Sequence, residues 1–296
     1  MSMKTVLITG ANGQLGYELQ HTCPAHVRII ATDYQTLDIT DAGQIQAALA
    51  THQPDCVING AAYTAVDKAE TDRDAAYAIN ATAAGLMAEA IAQSAKPIRL
   101  VHISTDFVFD GSQSLPYATD AATNPLGVYG ASKQQGEALI QQHLPQALLI
   151  RTSWLYSTHG HNFVKSMLRL MKEKEQLGVV YDQVGTPTWA RTLAQTIWRL
   201  IDQNTSGLLH CSDNGVASWY DFAIAIQEEA LRLGLLERRI PVNPIRSSAY
   251  PTPAQRPAFS VMDKHLTEQA LGYRLPYWRD SLNAMLAELK QQTPNA

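Results

Sequence analysis

The residues of this 296-residue chain best suited to chemistry lie near its middle. Tyr129 and Lys133 stand at i and i+4 in Tyr129-Gly130-Ala131-Ser132-Lys133, so a helix would put both on one face. A phenol with a pKa near ~10 is a poor acid–base group at neutral pH, and a neighbouring ammonium is expected to stabilise its anion and lower that pKa. Thr105, in Ser104-Thr105-Asp106, directly follows an apolar run, and its hydroxyl can hydrogen-bond a carbonyl or alkoxide oxygen. A Tyr–Lys pair alone is more often a surface pair. Following Thr105 and a glycine turn, it becomes a set for acid–base work at a carbonyl.

That turn is Gly10-Ala11-Asn12-Gly13-Gln14-Leu15-Gly16, immediately after the first apolar run. Its GxxGxxG spacing differs from the GxGxxG of the standard dinucleotide fingerprint, but the physical logic is the same. Glycines permit the tight turn and let the backbone approach a pyrophosphate, and the following helix presents free N–H groups and the positive end of its dipole. Asp33 ends the second apolar run, near the ~20-residue offset at which an acidic residue meets the adenosine ribose hydroxyls. A carboxylate there favours NADH, because it repels a 2′-phosphate. Asp38 and Ile39 are placed to border the adenine.

These residues need elements to position them. Strands are expected at Lys4–Thr9, Val27–Thr32, Cys56–Ile58, Ile98–Ile103 and Ala147–Arg151. Helices are expected at Gly13–Thr22, Asp41–His52, the Ala-rich Asp72–Ser94, and Pro125–His143. Continuously apolar strands alternating with such helices indicate an α/β doubly wound parallel sheet, whose ligands sit beyond the carboxyl ends of the strands. The second half is less regular. Helices are expected at Asn162–Lys174, Ala190–Asp202, Ser218–Leu233 and Leu275–Lys290, and short strands at Leu177–Val180 and Leu208–Cys211. Pro241–Pro257, with five prolines, reads as a long ordered loop or lid. A soft boundary near residue 155 separates a dinucleotide-binding part, 1–155, from a smaller α/β substrate-binding part, 156–296, which is expected to return strands to the main sheet.

Composition bounds the function. The chain is 46% apolar and 17% charged, enough apolar material for a sizeable core. A net charge of −4 without a long basic run argues against a nucleic-acid polymer as partner. No stretch approaches the ~20 apolar residues of a membrane span, and the N-terminus lacks the long apolar region of a secretory signal. Cys23, Cys56 and Cys211 are far apart and odd in number, so neither a disulfide framework nor a zinc site is expected. A cytoplasmic protein is the expectation.

With these residues in view, the sequence resembles the extended short-chain dehydrogenase/reductase family, and within it the branch of the dTDP-4-dehydrorhamnose reductases. The resemblance spans nearly the whole chain, through LITGANGQLG (7–16), NGAAYTAVDKAE (59–70), STDFVFDG (104–111), PLGVYGASKQQGE (125–137), RTSWLY (151–156), NFVKSMLRL (162–170), DQVGTPT (182–188) and AYPTPAQRP (249–257). It implies reduction of the C4 ketone of a dTDP-linked 4-keto-6-deoxy sugar by NADPH or NADH, with Thr105, Tyr129 and Lys133 as the catalytic set. Coenzyme contacts implied are Gly10, Gly13, Gln14, Leu15, Gly16, Asp33, Asp38, Ile39, Ala61, Ala62, Thr64, Tyr129 and Lys133. Substrate contacts implied are Thr105, Asp106, Trp154, Asn162 and Arg256, with Trp154 offering a flat face to the sugar and Arg256 pairing with the diphosphate.

Two departures bear on neighbouring readings. Some family members resemble magnesium-bridged dimers held through three glutamates. Here Glu18 and Glu288 correspond to two of them, whereas Arg191 occupies the region of the third, so the expectation is no metal and a monomer or weak homodimer. Sugar-nucleotide 4,6-dehydratases carry Asp-Glu after the threonine, but this chain reads Thr105-Asp106-Phe107. Another sugar-nucleotide epimerase or dehydratase of the same superfamily, or a regulatory subunit like the beta subunit of methionine adenosyltransferase, remains the alternative. Net consumption of coenzyme separates a reductase from the first two, which recycle theirs, and co-purification of a large partner without coenzyme oxidation would favour the third.

Overall fold

A computed structural model describes residues 3–292. Lys4–Thr9 forms β1, Val27–Ala31 β2, Cys56–Asn59 β3, Arg99–Thr105 β4, Leu148–Thr152 β5 and Gly207–His210 β6. They make one parallel sheet in the order β6-β5-β4-β3-β1-β2. The order turns back between β1 and β3, so the crevice at their carboxyl ends is where such a sheet accepts a ligand.

The strands are largely apolar because both faces of the sheet are covered, with Thr9, Asn59, His102 and Arg151 as buried polar exceptions. On one face, Val6, Ile8, Ile58, Val101 and Ile150 pack with Leu15 and Leu19 of α1 (Gln14–His21). Leu193, Ile197 and Ile201 complete that layer from a helix at Ala190–Asp202. On the other, Leu7, Val57, Leu100 and Leu149 pack with Ile45 and Leu49 of α2 (Ala42–His52), Met87 and Ile91 of α3 (Ala83–Ala92), and Ile140 of α4 (Val128–His143). Full burial of one such side chain contributes roughly 1.5–3 kcal/mol, so the two layers dominate the stability of this half.

The second half has its own apolar centre. There α5 (Phe163–Glu173), α7 (Trp219–Leu233) and α9 (Trp278–Gln292) enclose Met167, Phe222, Ile226, Leu282 and Met285. The Ala190–Asp202 helix is α6, and α8 is His265–Leu271. β6, which follows the Ala190–Asp202 helix in the chain, pairs with β5 at the edge of the main sheet. No described helix is long and apolar enough to cross a membrane.

Three expectations need correction. Asp72–Ser94 is not one helix: Arg73–Tyr77 leads into a π turn at Ala78–Thr82 before α3 begins. The wide turn carries Asn80, whose side chain accepts from Tyr63 N and donates to Tyr63 O and Ser132 Oγ, at 2.9–3.1 Å. Helix propensity could not reveal that need. Within Pro241–Pro257, Val242–Ile245 forms a strand parallel to Leu177–Val180, with Pro244 inside it. Proline is tolerated because this is an edge of a two-stranded sheet. Finally, α8 was not expected from the sequence.

Candidate active site

The carboxyl ends of β1, β3, β4 and β5 open into a cleft of ≈ 1020 Å³. At one end lies the glycine turn. Gly10 has φ +69°, and a Cβ there would meet the Ala61 backbone at 2.8 Å, so only glycine fits. Gly13 caps α1 without a side-chain hydrogen bond, which leaves the first-turn N–H groups of the helix uncovered by any capping side chain. Such a helix start suits a diphosphate. Gly10, Gly13, Gln14, Leu15, Gly16, Asp33, Asp38, Ile39, Ala61, Ala62 and Thr64 all line the cleft. Asp33 accepts hydrogen bonds from Gln35 N, Thr36 N, Thr36 Oγ1 and Asn12 Nδ2. The bond from Thr36 Oγ1 leads in holding its carboxyl below the ordinary value, so it stays anionic.

Thr105, Tyr129 and Lys133 share the same cleft. Thr105 ends β4, and its hydroxyl donates to Asp106 Oδ1 at 3.1 Å. Tyr129 and Lys133 lie on α4, which approaches the strand tips so closely that a Cβ on Gly130 would stand 2.1 Å from Phe107 O. A buried ion pair fixes this helix to β5: Arg151 Nε and Nη2 donate to Glu137 Oε1 and Oε2 at 2.9 and 2.7 Å. Tyr129 is only partly exposed, and the enclosure of its hydroxyl pushes its pKa up to about 12. A hydrogen bond with Thr105 pulls the other way, while the Asp106 charge adds to the rise. This corrects the expectation of a lowered tyrosine. Lys133 Nζ rests 3.2 Å from His102 Nε2, and burial pushes its own pKa down to about 8. Burial likewise raises Asp106 to about 6.

The remaining walls come from loops. Trp154 and Trp219 stack with centroids 3.6 Å apart and planes 5° from parallel, and both line the cleft. Trp154 adopts φ +46°, a region that costs a non-glycine residue free energy. It also lies so close over Gly185 that a Cβ there would be 2.7 Å from Trp154 Cε2. Arg256 reaches the cleft but is held by Asp67, with Nη2 to Oδ2 at 2.8 Å. Asn162 does not line the cleft. Its Oδ1 caps α5 at Lys165 N, and its Nδ2 donates to Gln14 Oε1 and Ser157 O. Asn162 thereby ties α5 to the glycine turn. Helix capping by asparagine is the signal that pointed to this role.

A family model described as the RmlD substrate binding domain matches residues 3–291. This chain belongs to that family. The dTDP-4-dehydrorhamnose reductase of Aggregatibacter actinomycetemcomitans is 39% identical over 293 residues, covering 96% of this chain and 99% of that one. A dTDP-4-dehydrorhamnose reductase from Clostridium acetobutylicum superposes with a TM-score of 0.91 at 40% identity, covering 97% and 99% of the two chains. One from Bacillus anthracis, solved in complex with NADP, does so with a TM-score of 0.91 at 37% identity, covering 97% and 100%.

In this RmlD-family chain, sequence reasoning missed Trp219 and His161 as parts of the cleft wall. Trp219 opens α7, far along the chain from Trp154, and no spacing links the two. His161 follows Gly160 in a loop whose His159 reaches across to Asn12 O at 2.9 Å, which brings that loop to the glycine turn. Arg191 on α6 lies between the two glutamates singled out from the sequence. Its Nε meets Glu18 Oε2 at 2.8 Å, its Nη2 meets Glu288 Oε1 at 2.9 Å, and its Nη1 bonds Glu288 Oε2. Glu18 is fully buried and also accepts from Ser157 Oγ at 2.8 Å. One guanidinium thereby joins α1, α6 and α9.

Proposed function

We propose that this chain reduces the C4 ketone of dTDP-4-dehydro-L-rhamnose to dTDP-L-rhamnose, using NADPH or NADH. The observation that carries the reading is the opening of Thr105, Tyr129 and Lys133 onto one cleft that begins at a glycine turn. The reductase names of its relatives support it. We assign coenzyme contact to the cleft residues of 1–155 and substrate contact to Asp106, Trp154, Trp219 and Arg256. Residues 156–296 complete the substrate side.

A bound reduced nicotinamide supplies the hydride. The chain's residues manage the oxygen. Tyr129, fully protonated at neutral pH, gives its proton to the oxygen as negative charge grows there. The Lys133 ammonium offsets the charge left on the phenol. Thr105, held in the dry wall at the end of β4, turns its hydroxyl from Asp106 to the same oxygen, so only one rotor reorganises. Trp154, braced by Trp219, offers a flat apolar face to the sugar. Arg256 exchanges part of its pairing with Asp67 for the diphosphate.

The Asp33 carboxylate opposes a 2′-phosphate, so Asp33→Asn is expected to lower KM for NADPH relative to NADH. We also infer that Arg191 takes the place of a divalent cation between Glu18 and Glu288. Sedimentation with and without magnesium tests this, with no change in mass expected and a magnesium-dependent dimer contradicting it. The reaction itself is tested by following NADH and NADPH oxidation against a panel of nucleotide-linked 4-keto sugars. Stoichiometric oxidation with the dTDP sugar is expected. Turnover without net oxidation would instead indicate an epimerase or dehydratase.

A further inference from the structure

Behind Lys133 runs a row of buried polar side chains that the reaction above leaves unused. Thr9 pairs with Asn59 across β1 and β3, and Asn59 pairs with His102 across β3 and β4. Thr9, Asn59, His102 and Lys133 are each exposed by 2% or less. Thr9 Oγ1 lies 2.7 Å from Asn59 Oδ1, Asn59 Nδ2 lies 3.1 Å from His102 Nδ1, and His102 Nε2 lies 3.2 Å from Lys133 Nζ. Strand register thus aligns one continuous row of hydrogen bonds, ending on the amine of the catalytic set. Buried polar groups at this depth are costly unless each satisfies the next.

The direction of those bonds is constrained. An ammonium only donates. Facing it, His102 Nε2 must offer its lone pair, so Nδ1 carries the proton and donates to the Asn59 carbonyl oxygen. A neutral amine also offers a lone pair, to which Nε2–H can donate, and Nδ1 then accepts from the Asn59 amide nitrogen. The Asn59 amide as placed serves the second arrangement, with Thr9 donating to its oxygen. A half-turn of that amide serves the first, and Thr9, which lines the cleft, then receives the amide N–H.

His102 itself does not charge, because burial, with the Lys133 charge beside it, holds its pKa well below the ordinary value. It can respond only by changing tautomer. Burial brings Lys133 down to about 8, with Glu137 on the same helix opposing the fall. Glu137 is neutralised by Arg151 of β5, and Asp106 at the end of β4 acts on Tyr129.

We propose that His102 is a positioning residue that holds Lys133 against the strand tips and, by exchanging tautomers with a half-turn of the Asn59 amide, matches both the charged and the neutral form of that amine. The proposal rests on Lys133 serving Tyr129, but its test does not depend on the substrate.

The test uses the coenzyme-free wild-type protein carrying 15N-histidine and lysine labelled with 13C at Cε. The Lys133 signal is identified by its loss in Lys133→Met. As pH rises through the Lys133 midpoint, His102 Nε2 is expected to change from an acceptor-type to an N–H-type nitrogen shift, in step with the lysine signal. One His102 tautomer throughout, while Lys133 titrates, would overturn the proposal. A variant pair gives a second reading. His102→Phe removes the acceptor and is expected to lower the Lys133 midpoint by roughly one unit or more, a tenfold change in its proton affinity. His102→Gln, which offers both a donor and an acceptor, is expected to restore it. A folded His102→Phe protein with an unmoved midpoint would contradict the account.

Discussion

Two largely enclosed Asp–Tyr–Lys groupings in this molecule have similar electrostatics and different access. In the first, Asp106 is raised to about 6 and Tyr129 to about 12, with Lys133 lowered to about 8. In the second, where β6 meets the C-terminal part, Asp213 is raised to about 6, Tyr156 is raised well above its ordinary value, and Lys264 is lowered. Burial leads in all six, and in each grouping the aspartate charge adds to the rise of its tyrosine. Only the first opens on the cleft, on strand tips that also face a glycine turn. Asp213 Oδ2 instead accepts from Trp189 N at 3.2 Å, the Ser281 and Thr192 hydroxyls also bear on its carboxylate, and the Tyr156 hydroxyl is buried without a hydrogen-bond partner. A perturbed titration marks a site only when a ligand can reach it.

The largest expected effect falls on the first grouping. Tyr129→Phe removes the proposed proton donor and should lower kcat about 10²–10⁴-fold. Coenzyme binding, read by fluorescence titration, should be nearly unchanged. Next comes the ion pair that holds the helix of Tyr129 and Lys133. Glu137→Ala strands Arg151 in the interior and should destabilise the fold by about 3–5 kcal/mol in denaturant unfolding.

The second grouping should respond in stability instead. The folded Asp213 pKa of about 6 exceeds the ordinary 3.8, so the native state binds this proton more readily. The cost of keeping the buried charge is absent below the unfolded pKa and fully present above about 6. Asp213→Asn should therefore stabilise the protein by about 1–3 kcal/mol at neutral pH. That gain should fade as pH falls through the interval and vanish below it, as melting curves across the range would show. Smallest of all, Tyr156→Phe removes a buried hydroxyl that has no partner, and should change stability by less than about 1 kcal/mol or raise it.

Much of the cleft lining was legible in the sequence, because local spacing expresses it. Gly10 to Gly16, Asp33, Thr105, and the Tyr129–Lys133 pair each follow a strand or start a helix, where periodicity and turn residues report position. Features made by distant segments were not legible. Trp219 meets Trp154 only after α7 packs against the loop following β5. The tie that Asn162 makes from the start of α5 to Gln14 likewise joins segments far apart in the chain. The π turn at Ala78–Thr82 interrupts a stretch of excellent helix formers because Asn80 must reach Tyr63 and Ser132, a tertiary demand that propensity does not carry. Asp213 gave no signal because the groups around it, Tyr156, Trp189 and Ser281 among them, come from distant parts of the chain.

The central claim is that chemistry belongs to the grouping on the cleft and that the buried tyrosine elsewhere is structural. The most direct measurement compares Tyr129→Phe and Tyr156→Phe side by side, recording NAD(P)H oxidation with dTDP-4-dehydro-L-rhamnose at saturating coenzyme. The account predicts a loss of about 10²–10⁴-fold for Tyr129→Phe and near wild-type turnover for Tyr156→Phe. Full activity in the folded Tyr129→Phe protein would contradict it.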